Sequence, residues 1–321
     1  MTKLPPPLIK EMVIKSCRAF FDGQNFQEIT VPVFHKALPL EANLHAFSTQ
    51  WSPAQSSQTF YLPISPESTL KKALAAGVGN SYGIGHTFRN LEGSGPHHHP
   101  EFLMLEWYRE DAVYEDIMTE TQALVGFVKN QLESVGQPTT PLKMGEPWPK
   151  LSLIELFKTH LSADLNSLLS DEEMISFAKV KGYATDNATW SQLFDQLFLN
   201  EVEPHLPLSP FFLVDFPSRV SALCLPQTTN PNFAQRFELY IGGREIGNGN
   251  SEQTDAAKVR TYFDHEKKYR EQLNLSVPPI DETFLQAFEL LKHKKIAGIG
   301  LGIERLTMVL AGIDDIKALQ I

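Results

Sequence analysis

The sequence of this 321-residue chain predicts strands in consecutive pairs, and this pairing constrains the fold more than any other feature. Residues 81–89 alternate in side-chain size, and residues 101–108 alternate again after a polar loop, which is typical of two strands in a hairpin. Residues 233–241 and 244–250 form a second pair around a Gly-Gly dipeptide, a strong signal for a tight turn. Paired strands with helical segments grouped between them predict an α+β fold with an antiparallel sheet rather than βαβ units.

Apolar residues at helical spacing predict helices between and around these hairpins. The predicted helices span residues 8–21, 65–76, 112–135, 255–273 and 281–292, and a strand–helix unit ends the pattern at residues 298–312. Further strands are predicted at residues 211–216 and 28–34, and Pro32 favours an edge or interface position for the latter. We expect a single catalytic domain over residues 1–321, with a helical insertion at about residues 151–205.

Charge and composition argue against several classes of protein. The 28 Lys and Arg against 38 Asp and Glu give a formal charge of −10, whereas a dedicated nucleic-acid binder usually carries a basic stripe. The two cysteines, Cys17 and Cys224, lie far apart, which disfavours a disulfide framework or a thiolate metal site. No apolar run approaches the ~20 residues of a membrane span, and the first residues do not form a secretory signal, so a cytoplasmic location is expected.

Residues 88–108 carry side chains suited to a nucleotide. Arg89 is followed by an aromatic residue and carboxylates, a combination that can clamp a phosphate, stack a base and hold a cation. An ordinary hairpin with a surface arginine has the same sequence pattern. The strand face that carries Gly83 and Gly85 is nearly bare except for Arg89, so we expect room for a ligand above the sheet.

Residues 236–252 place carboxylates close together. The turn predicts Glu245 opposite Tyr240 and diagonal to Glu238 on one face. Such a pair favours Mg²⁺ held by carboxylates and substrate phosphates, although an acidic solvent-facing surface has the same pattern. Asn248 and Glu252 have the opposite parity, so they reach the same pocket only if the strand bulges at one of the glycines 247 and 249.

Residues 298–306 combine small side chains with Arg305 at the start of a helix, where an arginine can meet a polyphosphate. The segment lacks the lysine of a P-loop, so it is not one. Three adjacent histidines, residues 97–99, do not predict zinc, because neighbouring residues rarely converge on one ion.

Taken together and in this order, the three segments resemble the motifs of class II aminoacyl-tRNA synthetases. Pro32 matches the proline that ends the first motif, residues 88–108 resemble the second and residues 298–310 the third. The similarity is closest to the lysyl branch, which is indicated by SPE at residues 65–67, PEF at 100–102, Glu106, Tyr108 and the NG..E pattern of Asn248, Gly249 and Glu252. The resemblance covers essentially the whole chain and implies the class II catalytic fold.

The resemblance also implies a set of site residues. Those expected to bind ATP are Arg89, Glu92, His98, Phe102, Glu238, Glu245 and Arg305. Those expected to bind the amino acid are Glu67, Arg89, Glu106, Tyr108, Asn248, Glu252 and Gly300. By the same resemblance Arg89 and Arg305 are the catalytic residues. Mg²⁺, held by Glu238 and Glu245, and ATP are the implied cofactors.

Four residues depart from the patterns of related enzymes. Leu91 intervenes between the Asn and Glu that normally follow the arginine of the second motif. His99 stands where the family has an asparagine after the histidine of that motif. Asn250 stands where lysyl enzymes carry an aromatic residue against the lysine stem. Gly300 is the residue type of the tRNA synthetases, where related protein ligases have alanine. The departure at Leu91 concerns the contact of Glu92 with adenine, whereas those at Asn250 and Gly300 concern which lysine-like amino acid the pocket accepts.

The chain begins almost directly at the catalytic core, without the anticodon-binding domain of lysyl-tRNA synthetases, which is the pattern of the elongation factor P–lysine ligases. We therefore expect ATP-dependent activation of lysine or an analogue as the aminoacyl-adenylate and its transfer to a lysine side chain of elongation factor P. The alternatives are a truncated synthetase-like enzyme that charges tRNA or another carrier, and a non-catalytic paralogue that acts as a binding module. The first motif builds a dimer interface in this class, so a homodimer is expected, with no membrane partner.

Overall fold

The computed structural model describes residues 4–54, 56–93 and 95–320. Its α-helices are α1 (Pro6–Asp22), α2 (Glu67–Ala75), α3 (Tyr114–Ser134), α4 (Leu153–Leu161), α5 (Asp171–Val180), α6 (Trp190–Leu197), α7 (Ala256–Gln272), α8 (Glu282–Leu291) and α9 (Ile303–Ala311). Its strands are β1 (Gln27–Glu28), β2 (Ser48–Trp51), β3 (Gln58–Tyr61), β4 (Ser81–Phe88), β5 (Glu101–Glu110), β6 (Lys150–Ser152), β7 (Phe211–Val214), β8 (Arg236–Ile241), β9 (Arg244–Ser251) and β10 (Ile296–Gly302). No helix of the described residues is both long and apolar enough to span a bilayer.

Both predicted hairpins belong to one sheet, and β10 joins them. The strand order is β1-β4-β5-β10-β9-β8-β7-β6, and the pairings are antiparallel except at the two ends, β1 with β4 and β6 with β7. In the second hairpin, both glycines of the turn, Gly242 and Gly243, adopt positive φ angles of 64° and 71°. A two-residue hairpin turn requires such angles. The predicted α+β fold with its antiparallel sheet is confirmed.

Apolar side chains cover one face of this sheet and, at β7 and β8, part of the other. One cluster packs α1, α3 and α9 against it and includes Phe21, Trp107 and Leu306. A second cluster packs the helices α4, α5 and α6 against β7 and includes Phe157 and Phe211. These helices lie within residues 151–205. The sheet is therefore a rigid platform from which polar side chains can project in fixed positions.

The strand predicted at residues 28–34 is mostly absent. Only Gln27 and Glu28 pair with β4 as a strand, and Pro32 lies beyond them in chain without regular secondary structure. Proline has no backbone N–H to donate, so pairing cannot continue through it. A short antiparallel pair, β2 with β3, was not predicted; it packs Phe60 against the exposed ring of Phe34 with 5.8 Å between ring centroids.

The bare face of β4 does not hold a ligand, contrary to the prediction. A Cβ atom on Gly83 would lie 2.9 Å from the Val31 side chain, and one on Gly85 would lie 3.0 Å from it. The glycines therefore make room for Val31, which follows β1, and the chain itself fills the space. The predicted open space exists further along the strand, where Arg89 begins the loop to β5.

The predicted bulge in β9 is present but lies at a different residue. Tyr240 pairs with Glu245 as predicted, whereas Leu239 pairs with Gly247, so Ile246 is the extra residue. Neither Gly247 nor Gly249 is the bulge. One added residue reverses the side-chain parity downstream, and Asn248 therefore lies opposite Glu238.

Candidate active site

One large cavity opens above the central strands. Its volume is about 1060 Å³, slightly above the ~300–1,000 Å³ that is usual for ligand pockets. All the residues that the resemblance assigns to ATP or to the amino acid line this cavity: Glu67, Arg89, Glu92, His98, Phe102, Glu106, Tyr108, Glu238, Glu245, Asn248, Glu252, Gly300 and Arg305. The fold thus brings α2, the two hairpins and the β10–α9 junction to a single site.

A group of carboxylates forms one end of the cavity. Glu106 is 4% exposed; its Oε1 accepts the hydroxyl proton of Tyr108, and its Oε2 has no hydrogen-bond partner among the described residues. Burial, reinforced by the carboxylate of Glu67, raises the pKa of Glu106 well above its usual range. Burial also raises the pKa of Glu252 to about 7. A cationic group entering here would find acceptors that are otherwise costly to keep charged.

The protein places its own lysine beside these acids. Lys71, on α2, is 1% exposed and donates hydrogen bonds to Glu67 and, at 2.6 Å, to Glu252. Burial alone would lower the pKa of Lys71, but the two carboxylates outweigh it and raise the pKa. Lys71 was missed in the sequence, although its position four residues after Glu67 on a helix is the spacing of an ion pair.

Arg89 lies over the ring of Phe102, with 5.4 Å from its guanidinium carbon to the ring centroid. Its Nε donates to the backbone oxygen of Ile64 at 3.3 Å, and its Nη1 lies 3.4 Å from Glu92. Leu91, the residue that departs from the family pattern, has a φ angle of 64° and an exposed side chain. The added residue therefore projects outward, and Glu92 still reaches Arg89 and the cavity.

Glu238 and Glu245 lie on the floor of the cavity at its other end. Burial and the neighbouring Glu245 raise the pKa of Glu238 to about 8, despite an ion pair at 2.7 Å with Arg236. Among the residues that the structure describes, no three His, Cys, Asp or Glu side chains converge as a metal site. The pair therefore fits Mg²⁺ completed by phosphate oxygens rather than an all-protein cage. Arg236 was also missed in the sequence; it is the first residue of β8.

Arg305, in the first turn of α9, is held by its neighbours. Its Nη1 donates to the backbone oxygen of Glu245 at 3.0 Å and lies 3.6 Å from that residue's carboxylate. Burial and the nearby Arg305 lower the pKa of His98, which favours the neutral imidazole. Arg305 and His98 thus line the cavity beside the two carboxylates, where a polyphosphate would need donors.

The glycines of β10 serve mainly to pack the neighbouring strands. A Cβ atom on Gly298 would lie 2.4 Å from the ring of Tyr108, so this glycine makes room for a side chain of the site. A Cβ atom on Gly300 would lie 3.1 Å from the sulfur of Met104 and 3.8 Å from Glu106 Oε2. Gly300 thus sets the space beside Oε2 of Glu106.

Glu41 is a further residue of the cavity that the sequence did not suggest. Its loop is fixed by α7, because Arg270 donates to the backbone oxygen of Glu41 and the Tyr262 hydroxyl accepts the N–H of Ala42 at 2.9 Å. Burial and the Glu67 carboxylate raise the pKa of Glu41 to about 7. No local sequence pattern marks this residue, since only the folded loop brings it to the other acids.

Comparison with known proteins agrees with this geometry. Residues 8–321 match the family of class II tRNA synthetases of the D, K and N types. The chain is 32% identical over 325 residues to a lysine–tRNA ligase of Pelotomaculum thermopropionicum, covering 97% of this chain and 63% of that protein. It is 30% identical over 316 residues to the lysine–tRNA ligase of Carboxydothermus hydrogenoformans, with the same coverage of 97% and 63%.

A lysine–tRNA ligase of Listeria innocua is 32% identical over 318 residues, covering 97% of this chain and 62% of that protein. The chain thus spans a little under two thirds of the length of these relatives. The family match extends over nearly the whole sequence and includes each hairpin and the β10–α9 unit that build the cavity. This chain belongs to the class II tRNA synthetases of the D, K and N family.

Proposed function

We propose that the protein activates lysine or a close analogue with ATP, forming the aminoacyl-adenylate, and transfers the aminoacyl group to a lysine side chain of elongation factor P. The observation that carries the activation step is the acidic end of the cavity. There Glu67, Glu106 and Glu252 line the cavity, and one oxygen of Glu106 has no hydrogen-bond partner among the described residues. A lysine-like substrate brings two ammonium groups that lose their water on binding, and such carboxylates compensate the cost of that desolvation.

The positions of the other residues support a division of roles. Arg89, between the acidic end and the phosphate end, is suited to bridge the amino-acid carboxylate and the α-phosphate of ATP. The carboxylate attacks the α-phosphorus and pyrophosphate leaves, so no protein nucleophile is needed. Catalysis then consists of positioning and charge compensation, to which Arg89 and Arg305 contribute their guanidinium groups. Mg²⁺ bound by Glu238 and Glu245 would supply further neutralisation of the phosphates.

The net charge of residues 151–205 supports a protein rather than a tRNA as the acceptor of the aminoacyl group. Residues 151–205 contain nine acidic and three basic side chains, so they carry a formal charge of −6 out of the total of −10. A tRNA is a polyanion and would be repelled by such a surface, whereas a protein segment rich in lysine would be attracted. The lysine–tRNA ligases among the relatives favour the second candidate, aminoacylation of tRNA.

The test has two stages. Amino-acid-dependent ATP–pyrophosphate exchange is measured with α-lysine, both β-lysines, ornithine and the standard amino acids, and we expect exchange with a lysine-like compound alone. Transfer of that radiolabelled compound to purified elongation factor P and to tRNA is then compared. Labelling of the factor with no labelling of tRNA is expected; the reverse result would establish the second candidate. Absence of any exchange would contradict activation and favour a binding module.

A homodimer is also proposed, because the segment after β1 exposes apolar side chains. Phe34 is 63% exposed and packs on Phe60, which also contacts the exposed Trp51 with 6.2 Å between ring centroids. A cluster of exposed aromatic rings marks an interaction surface. It lies next to Pro32, where the family resemblance implies the dimer interface.

Replacing Phe34 with aspartate is expected to convert the dimer to a monomer at micromolar concentration, because a charge would be buried in the interface without a partner. Light scattering measures the mass of both forms. Val180→Asp, at an exposed apolar position of α5, is the matched control and should stay dimeric. A wild-type monomer, or a Phe34→Asp dimer, would contradict the assignment.

A further inference from the structure

Lys71 is a buried cation of the protein itself at the acidic end of the cavity. Its ammonium lies between the carboxylates of Glu67 and Glu252, both of which belong to the amino-acid end of the cavity. The rest of its surroundings are aromatic: the ring centroids of Tyr108, Phe284 and Phe288 lie 5.3, 5.8 and 5.4 Å from Nζ. A buried ammonium of this kind is stable only because both carboxylates and the ring faces compensate its charge.

The acids around this cation share a pattern in the use of their oxygens. Lys71 contacts Oε1 of Glu67 and Oε2 of Glu252, and the Tyr108 hydroxyl contacts Oε1 of Glu106. Each carboxylate thus has one oxygen that Lys71 or Tyr108 holds and a second oxygen that these contacts do not occupy, and Asn250 also interacts with the Glu252 carboxylate. For Glu106 that second oxygen has no partner among the described residues. A carboxylate held by one oxygen cannot rotate freely, which fixes the direction of the other.

We propose that Lys71 is a positioning residue for the amino acid: its ammonium orients the carboxylates of Glu67 and Glu252 and leaves one oxygen of each for the substrate's amines. The inference rests on the proposed activation of a lysine-like amino acid and extends it to a residue that does not itself touch the reacting atoms. Lys71 also balances charge, because several carboxylates in one desolvated space cannot all stay ionised without a cation.

The charged and titratable groups that face this cluster come from every element around it. They are Glu41 in its loop, Glu67 on α2, Arg89 after β4, Glu106 and Tyr108 on β5, Cys224 in the loop after β7, and Glu252 after β9. On the other side α8 presents phenyl rings. The charge of Lys71 lowers the pKa values of Glu41, Glu106 and Glu252. Without that charge these pKa values rise, so the pocket has ionised acceptors only at higher pH.

The decisive variant is Lys71→Met, which keeps the length of the side chain and suits its aromatic surroundings but removes the charge. In pyrophosphate exchange the KM for L-lysine, or for the diamino acid that the panel identifies, should rise about tenfold or more. This is the effect of losing one charge-assisted hydrogen bond between a substrate amine and a carboxylate that Lys71 no longer orients. The KM for ATP should stay within about twofold, and the acid limb of kcat/KM for the amino acid should move to higher pH. Lys72→Met is the matched control: Lys72 is the next residue of α2 and pairs instead with Asp281 at 2.5 Å, so both readouts should stay at wild-type values.

A second variant separates charge from geometry and serves if Lys71→Met fails to fold. Lys71→Arg retains the charge but not the two contacts, so its KM for the amino acid should rise while the acid limb stays in place. Calorimetric titration of wild type and variants with the same amino acid gives binding without catalysis. The positioning role alone would be overturned if wild type and both Lys71 variants bound the amino acid equally well. It would also be overturned if the variants lost kcat with both substrates and their pH profile did not change. Wild type that neither binds nor exchanges any diamino acid would overturn the proposed function as well.

Discussion

Arg89→Ala is expected to lower amino-acid-dependent pyrophosphate exchange by about 10²–10³-fold, the cost of removing a donor aimed at charge that develops in the transition state. The loss should appear mainly in kcat, because Arg89 is suited to contact both groups that react. Steady-state exchange at saturating ATP and amino acid measures it.

The fold should tolerate this change. Arg89 is only partly buried, and it contacts one backbone oxygen, the exposed edge of the cavity at Glu92 and the ring of Phe102, none of which holds two elements of the core together. The melting temperature of the Arg89→Ala variant should therefore stay near that of wild type. Arg109→Ala is a matched control, because Arg109 lies on β5 but pairs with Glu120 at 3.8 Å on the side of α3. Near-normal exchange by Arg89→Ala, or an equal loss in both variants, would contradict the role assigned to Arg89.

Glu238→Gln is expected to reduce exchange by about 10²–10³-fold at the Mg²⁺ concentration that suits wild type. The substitution removes one of the two carboxylates that would hold Mg²⁺, and the ion's neutralisation of phosphate charge contributes several kcal/mol to the stability of the transition state. The amide has nearly the same shape as the carboxylate and can still accept a hydrogen bond from Arg236, so the floor of the cavity should keep its packing. Titration with Mg²⁺ should show a higher requirement in the variant, and chelation with EDTA should stop exchange by wild type.

Glu203 offers a control inside the same cavity. The Tyr240 hydroxyl lies 3.4 Å from Glu203 and 3.5 Å from Glu238, so both substitutions change a neighbour of the same tyrosine. Glu203→Gln should leave the Mg²⁺ requirement unchanged and exchange within a few-fold of wild type. If Glu203→Gln were as damaging as Glu238→Gln, or if the Mg²⁺ requirement of the latter did not change, the carboxylate pair would not be the metal site.

Family patterns in the sequence identified the residues around the cavity, but their spatial relation needed the fold. The parity of side chains along β9 changes at Ile246, and no residue type there marks a bulge. Glycine in a strand is compatible with both a ligand and a close neighbour. At Gly83 and Gly85 the neighbour is Val31, about fifty residues away along the chain, and this distance is why the sequence pattern misled.

Local features of the sequence determined the secondary structure and the hairpin pairing. The glycine turn, the period-two strands and the helical apolar stripes act over a few residues, and the helices α1, α2, α3, α7 and α8 begin and end close to their predicted bounds. Pairwise chemistry also follows from the sequence where partners are near, as with Tyr240 and Glu245 across the turn.

Only the tertiary structure decided the electrostatics of the acidic end of the cavity. Lys71 meets Glu252 across 181 positions of the chain, and Glu41 joins them through a loop that α7 holds in place. The charge state of each acid depends on desolvation and on neighbours that approach from different elements, and neither quantity is encoded in a local pattern. The sequence therefore determined which chemical groups are present, and the fold determined which of their oxygens are available to a substrate.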